Sequence, residues 1–223
     1  MTDKNKQAIE LMKEGKIEEA VKILYEAIED EPSNPVPYTN VGNLLTEAGD
    51  LEKAILFYEK AIELDGTQAT AFYGAGNAFY KLGQYKDAVD MYNKAINNGL
   101  DESDSYFMLG MCYIQQDAHR YALPYFQRAV ELNPADVDAR FQFGLCLAKL
   151  EQIDEALKQF TTVTEQDANH ADAYFNLGVA HAYKEQSGKA IEMFDKALEI
   201  QPDHLLAGHG KKTMEKLLSE KEK

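Results

Sequence analysis

Apolar residues return in two helical phases across residues 35–68. From Val36 to Glu47 they fall at Val36, Val41, Leu44 and Leu45, around a small Gly42. Gly49 then offers the left-handed backbone that stops a helix. From Leu51 to Leu64 the residues Leu51, Ala54, Ile55, Tyr58, Ala61 and Ile62 share one face, and Asp65-Gly66 breaks the run. The segment therefore predicts helix A, a tight turn and helix B, packed antiparallel. The same pattern recurs six times at a period of 34 residues without insertion or deletion. One column reads Ala8, Gly42, Gly76, Gly110, Gly144, Gly178, another Ala20, Ala54, Ala88, Ala122, Ala156, Ala190, and a third Ala27, Ala61, Ala95, Ala129, Val163, Ala197. The phase predicts at least thirteen helices and no strand, with tight turns near residues 15, 49, 83, 117, 151 and 185. Looser boundaries are expected near 32, 66, 100, 134, 168 and 202.

The small columns mark close helix crossings, where a larger side chain would force the axes apart. Large residues fill the space beside them. Tyr38, Phe72, Tyr106 and Tyr174 lie near the start of helix A, and Tyr58, Tyr92, Phe126, Phe160 and Phe194 on helix B. Both stripes are expected in the core.

The period of 34, the small residues at these offsets and closing prolines such as Pro32, Pro134 and Pro202 resemble the tetratricopeptide repeat family. The closest likeness is to small stand-alone bacterial members without an attached catalytic domain. The resemblance implies an all-α, right-handed superhelical solenoid. Its six units would be 1–34, 35–68, 69–102, 103–136, 137–170 and 171–204, with 205–223 as a capping helix and charged tail. In that tail Leu206, Met214, Leu217 and Leu218 are expected to cover the last unit, while Gly208 and Gly210 weaken the first turns.

Three departures stand out. Lys4 and Arg140 replace the usual helix A aromatic. Gly15, Gly49 and Gly83 give way to Asp117, Glu151 and Glu185, so the last three turns are expected to differ in shape. Pro124 enters the fourth helix B about one turn from its start, where it should at most tilt the helix.

The formal charge of −15 is spread over all six units, and only the tail is basic. Such acidity repels a phosphate backbone, and no Lys/Arg stripe runs along a helix, so direct nucleic-acid binding is not expected. No apolar run approaches the ~18 residues of a membrane span, and no leader pattern opens the chain. Cys112 and Cys146 share one repeat position, taken by Ala78 and Ala180 in other units, which suits packing in a reduced, cytoplasmic setting. Gly74-Ala75-Gly76 lacks both the third glycine and the preceding strand of a dinucleotide loop. His170 and His204 share one repeat position, and His181 fills an apolar slot, where a buried, hydrogen-bonded ring is expected. Neither a catalytic constellation nor a metal or cofactor site emerges.

In the family, helix A positions 2, 5, 6, 9, 12 and 13 of each unit line the concave groove. Position 5 here reads Asn5, Thr39, Tyr73, Phe107, Phe141, Phe175, ending in a ladder of four aromatics. Position 9 reads Ile9, Asn43, Asn77, Met111, Leu145, Val179, and position 2 reads Thr2, Val36, Thr70, Asp104, Asp138, Asp172. The implied site thus comprises Asn43, Tyr73, Asn77 and Tyr80, then Phe107, Met111, Phe141, Leu145 and Phe175 edged by Asp104, Asp138 and Asp172. Asparagine amides suit a peptide backbone, aromatics give anchor area, and the acid row favours basic side chains. Each has a bland counterpart: position 5 aromatics also pack between helices, and first-turn aspartates also answer the helix dipole.

The clamp that holds chaperone C-termini in some members is not reproduced. Its five positions, read from the second unit, are Thr39, Asn43, Gly74, Asp104 and Met108. The expectation is a non-catalytic scaffold that binds a partner protein's peptide or helix. The alternative is a structural module that self-associates into homo-oligomers.

Overall fold

The computed structural model describes residues 4–221. Thr2, first in the position 2 column, and the last two tail residues lie outside that range. Thirteen α-helices occupy the described residues, with no strand among them. They are α1 (Lys4–Lys13), α2 (Ile17–Asp30), α3 (Pro35–Ala48), α4 (Leu51–Leu64), α5 (Ala69–Lys81), α6 (Tyr85–Asn97) and α7 (Ser103–Gln115). They continue as α8 (His119–Leu132), α9 (Val137–Lys149), α10 (Ile153–Gln166), α11 (Ala171–Tyr183), α12 (Ser187–Ile200) and α13 (Leu205–Lys221). The chain forms two compact units that divide between Asp117 and Ala118. The N-terminal unit holds α1–α7 and the C-terminal unit α8–α13. Within each, every helix packs on the one before it and the one after it, and α3 also packs on α5 and α11 on α13.

The turns fall where the phase places them. Gly15, Gly49 and Gly83 have φ of 74°, 83° and 75°. Asp117, Glu151 and Glu185 take φ of 54°, 61° and 57°, so the last three turns are left-handed like the first three, against expectation. The backbone closure is shared: Gln84 N–H donates to Phe79 O and Gln152 N–H to Leu147 O, each at 2.9 Å. These bonds hold non-glycine residues in a conformation that disfavours a Cβ. Glu151→Gly and Glu185→Gly should therefore each stabilise the chain by ~0.5–1 kcal/mol, less the entropy of a freer unfolded chain. Urea-unfolding midpoints check this.

Helix B rings form the centre of the packing. Tyr58, Tyr92, Phe126, Phe160 and Phe194 are all fully or almost fully buried. The glycines face them. A Cβ on Gly42 or Gly74 would lie 2.7 or 2.4 Å from the Tyr58 ring, and one on Gly76 2.7 Å from Tyr92. One on Gly144 would lie 2.7 Å from Phe160. Gly74 and Gly76, two residues apart and so on opposite faces of α5, are thus packing glycines toward the helices on either side. Helix A aromatics are less enclosed than expected. Phe72 is buried, but Tyr38, Tyr106 and Tyr174 are half-buried; the hydroxyls of the first two reach the loops, Tyr38 donating to Pro32 O at 3.1 Å and Tyr106 to Asp101 Oδ1 at 2.7 Å.

The polar departures find polar partners. Lys4 pairs with Asp30 at 2.6 Å and Glu26 at 3.6 Å. Arg140 donates to Gln159 Oε1 at 3.0 Å and Pro134 O at 2.8 Å. Pro124 leaves α8 unbroken. In the tail, Leu206 and Leu217 do not cover the last repeat: they are 63% and 41% exposed. Met214 does pack against the cluster of Ala190, Phe194, Ala197 and Ala207, and a Cβ on Gly210 would lie 2.7 Å from the Phe194 ring. Gly210 therefore serves close packing, beyond the weakening expected of it.

Burial also sets the response to alkali. It pushes the Tyr58 hydroxyl up to about 12, Cys112 up to about 12 and Cys146 up to about 11. Between their unfolded values of 10.0 and 9.0 and these folded ones, the unfolded chain binds fewer protons than the folded chain. Stability should be complete below about pH 9 and fall as pH rises toward 12, by up to ~1.4 kcal/mol per pH unit for each titrating group. Denaturation midpoints at rising pH read this out.

Candidate functional site

A helix presents residues three, four and seven apart on one face. In the N-terminal unit that rule aligns Tyr73, Asn77 and Tyr80 on α5, and Asp104, Phe107 and Met111 on α7, with Asn43 on α3. In the C-terminal unit it aligns Asp138, Phe141 and Leu145 on α9, and Asp172 with Phe175 on α11. Asn43 and the three aspartates are exposed, and the other eight are half-buried. All twelve reach solvent.

The half-burial has a consistent cause. Tyr73, Phe141 and Phe175 each rest on the helix B ring behind them. Centroids are 5.5 Å apart for Tyr73–Tyr92, 5.8 Å for Phe141–Phe160 and 5.9 Å for Phe175–Phe194. In the C-terminal unit a histidine adds a second wall: Phe141–His170 is 4.6 Å and Phe175–His204 is 5.0 Å. The rings are held from behind and show their remaining area to solvent.

The sequence pattern does not mark those histidines as site residues. They occupy the cap position preceding each A helix, as Asn34 and Asp136 do. The Asn34 side chain accepts from Val36 N–H at 3.0 Å, and Asp136 accepts from Ala139 N–H at 2.9 Å. His170 Nδ1 accepts from Ala173 N–H and His204 Nδ1 from Ala207 N–H, both at 3.2 Å. With Nδ1 accepting, the neutral His204 ring carries its proton on Nε2 and donates it to Asp172 Oδ1 at 3.1 Å. Asp172 thus also braces a cap. The 34-residue spacing of the two histidines was the available signal. His181 is half-buried rather than buried, because its Nδ1 reaches Gln186 at 2.8 Å at the helix end.

The asparagines are also more committed than their sequence suggests. Tyr58 donates its hydroxyl proton to Asn43 Oδ1 at 2.8 Å, and Tyr92 donates to Asn77 Oδ1 at 2.7 Å. Each amide oxygen is engaged, so what these side chains can offer a ligand is N–H, and Asn77, which already gives one N–H to Tyr73, has one left to offer. Tyr73 is raised by burial and by the Asp104 charge, against a hydrogen bond from Asn77 that lowers it. Tyr80 Oη accepts from Gln115 Nε2 at 3.4 Å. A separate cleft lined by Lys4, Ile23, Glu26, Asp30 and Val36 includes none of the twelve residues. No three His, Cys, Asp or Glu side chains gather into a metal site among the described residues.

Family models described as TPR repeat or tetratricopeptide repeat match residues 42–83, 73–137, 113–178 and 171–204. Among solved structures, YrrB is 52% identical over 85% of this chain and 97% of its own, with a TM-score of 0.80. The chain belongs to the tetratricopeptide repeat family. YrrB is described as a TPR protein with an unusual peptide-binding site. MamA of Desulfovibrio magneticus RS-1 is 25% identical over 76% of this chain and 98% of its own, TM-score 0.67. The Pseudomonas aeruginosa pilF structure is 18% identical over 92% and 94%, TM-score 0.78, and shares the fold. No curated protein matches the chain. The fold is thus that of an all-α tetratricopeptide solenoid, a protein–protein interaction scaffold whose members are typically non-catalytic. No described helix is long and apolar enough to cross a membrane.

Proposed function

We propose that this chain is a non-catalytic scaffold that holds a peptide or helix of a partner protein on the exposed face of its A helices. The six 34-residue units and the cap are the parts of that scaffold. The observation that carries the reading is the backed aromatic set. Tyr73, Phe141 and Phe175 each rest on a buried ring yet remain open to solvent. Rings held in this way lose little freedom on binding, so they suit anchor contacts. Asp104 and Asp138 beside them are exposed and favour a basic segment. The peptide-binding site described for YrrB supports the class of ligand.

Photo-crosslinking tests the face. A benzophenone amino acid at position 73 or 141 should form adducts with the partner segment, and one at the helix B positions of Lys60 or Lys196 should not. Adducts confined to the helix B positions would refute the assignment. Self-association has its own observation. Leu205 and Leu206 are 86% and 63% exposed on α13, an apolar pair suited to contact with a second copy. Light scattering over a concentration series should then show mass growth that Leu206→Asp abolishes; a constant monomer mass excludes this reading.

A further inference from the structure

Two columns of the repeat vary together. The residue at position 9 reads Ile9, Asn43, Asn77, Met111, Leu145, Val179. The residue fifteen places on reads Leu24, Tyr58, Tyr92, Phe126, Phe160, Phe194. Asparagine stands opposite tyrosine, and an apolar residue opposite phenylalanine or leucine, with no exception. The hydrogen bonds of 2.8 Å for Tyr58–Asn43 and 2.7 Å for Tyr92–Asn77 give the pairing its reason.

A tyrosine hydroxyl taken out of water must find an acceptor or cost free energy. Tyr92 is fully buried, and Asn77 Oδ1 is the acceptor its proton reaches. An amide has an acceptor at one end and two donors at the other. With the oxygen engaged inward, the NH2 end points away from the buried hydroxyl. Were the amide reversed, its NH2 would donate to the tyrosine oxygen and the tyrosine proton would lose this acceptor. Tyr58 is held less strictly, because the Thr46 hydroxyl also lies 3.1 Å from its oxygen.

We propose that the buried tyrosines Tyr92 and, more weakly, Tyr58 are positioning residues that fix Asn77 and Asn43 as outward hydrogen-bond donors, so that the N-terminal unit reads the backbone carbonyls of an extended peptide. This rests on the peptide-binding reading of the A helix face and deepens it. Asn43 and Asn77 hold the same repeat position on α3 and α5, which pack directly on each other, so the two are one helix step apart. That step is ~8–10 Å between axes, and three residues of a polyproline-type extended chain advance ~9.3 Å. One carbonyl in three would then face each asparagine. A segment already folded as a helix has its carbonyls bonded internally and could not answer these donors. The C-terminal unit, with Leu145 and Val179 opposite Phe160 and Phe194, has no such donors at these positions and takes apolar side chains instead.

The test uses the full chain and a phage-displayed library of random linear peptides, with affinities of the selected peptides measured by fluorescence anisotropy. Peptides selected for enough affinity to leave a measurable residue should bind Asn77→Leu at least about tenfold more weakly. Tyr92→Phe, which keeps the ring and removes only the hydroxyl, should weaken them about tenfold, as expected for a donor no longer pre-set. Tyr58→Phe should weaken them less. In the Asn77→Leu background Tyr92→Phe should have no further effect, whereas a tyrosine that acted only through packing would weaken both backgrounds alike. Unchanged affinity in Tyr92→Phe, or an equal effect in both backgrounds, overturns the inference. If Asn77→Leu is silent but Tyr73→Lys abolishes binding, the positioning role fails and the face reading survives. If both are silent, or the selection is empty, both fail.

Discussion

Gly178→Leu should lower the urea-unfolding midpoint more than any substitution on the exposed faces, and even Gly178→Ala should destabilise. A Cβ at Gly178 would lie 2.5 Å from Cε1 and 2.6 Å from Cδ1 of Phe194. The ring has little room to yield, because it is 2% exposed and Gly210 of α13 closes on its other side, where a Cβ would lie 2.7 Å from Cζ. Overpacking of this kind costs ~1–3 kcal/mol, and a leucine more. Helix propensity works the other way, since alanine gains ~1 kcal/mol over glycine. The sign of Gly178→Ala therefore decides which effect wins, and the short contact predicts packing. Gly188 supplies the control: it lies in the first turn of α12 with nothing within 4 Å of a Cβ, so Gly188→Ala should be neutral or stabilising. Equal midpoints for Gly178→Ala and Gly188→Ala would show that Phe194 moves aside at no cost. Gly144→Leu, against Phe160, repeats the test on α9.

The helices, turns and small columns were legible because the repeat states each of them several times. A glycine alone says little; five in phase, each 34 residues from the next, define a packing surface. What the repeat could not state was which ring each glycine meets. Gly42 and Gly74 close on the same Tyr58, and Gly178 and Gly210 on the same Phe194, so one ring stands between two glycines in each unit. Past the sixth repeat, helix propensity alone marks Gly210 as a weak helix former. Its place, 136 residues and so four periods after Gly74, was the signal for its packing role. The turns show the opposite limit. Sequence propensity sets Asp117, Glu151 and Glu185 apart from glycine, yet the closing backbone bonds hold them left-handed. Context outweighs a ~1 kcal/mol preference.

For the candidate face, residue types were readable and their commitments were not. Asn43 and Asn77 stand out as amides on a groove position, but only folding brings their oxygens to Tyr58 and Tyr92. Asp172 reads as one of three equivalent acids, yet it also receives the His204 proton. His170 and His204 were visible as a pair at one repeat position, and capping explains that spacing. Their stacking on Phe141 and Phe175 joins residues 29 apart in sequence, a link no local pattern reveals.

The acid row and the aromatic set should separate in kinetics. For a peptide bound to this face, Phe141→Ala with Phe175→Ala should raise the dissociation rate and weaken affinity by roughly 30-fold or more, the loss of ~2 kcal/mol or more typical of buried aromatic anchors. These rings also contact Phe160, Phe194 and the two capping histidines, so some stability will go with them. Phe141→Leu keeps apolar bulk against Phe160 and serves as the control for that loss. Asp104→Lys with Asp138→Lys touches neither ring pair, and both side chains are exposed. On a chain of net charge −15 these changes should mainly slow association with a basic peptide and flatten the dependence of that rate on salt. Dissociation should change little, because exposed charges steer encounter more than they hold the complex. Surface plasmon resonance at two ionic strengths resolves both rates. An aspartate pair that changed only dissociation would mean direct contact with the ligand rather than steering. A phenylalanine pair that remained folded and bound with wild-type affinity would move the binding surface off the A helices.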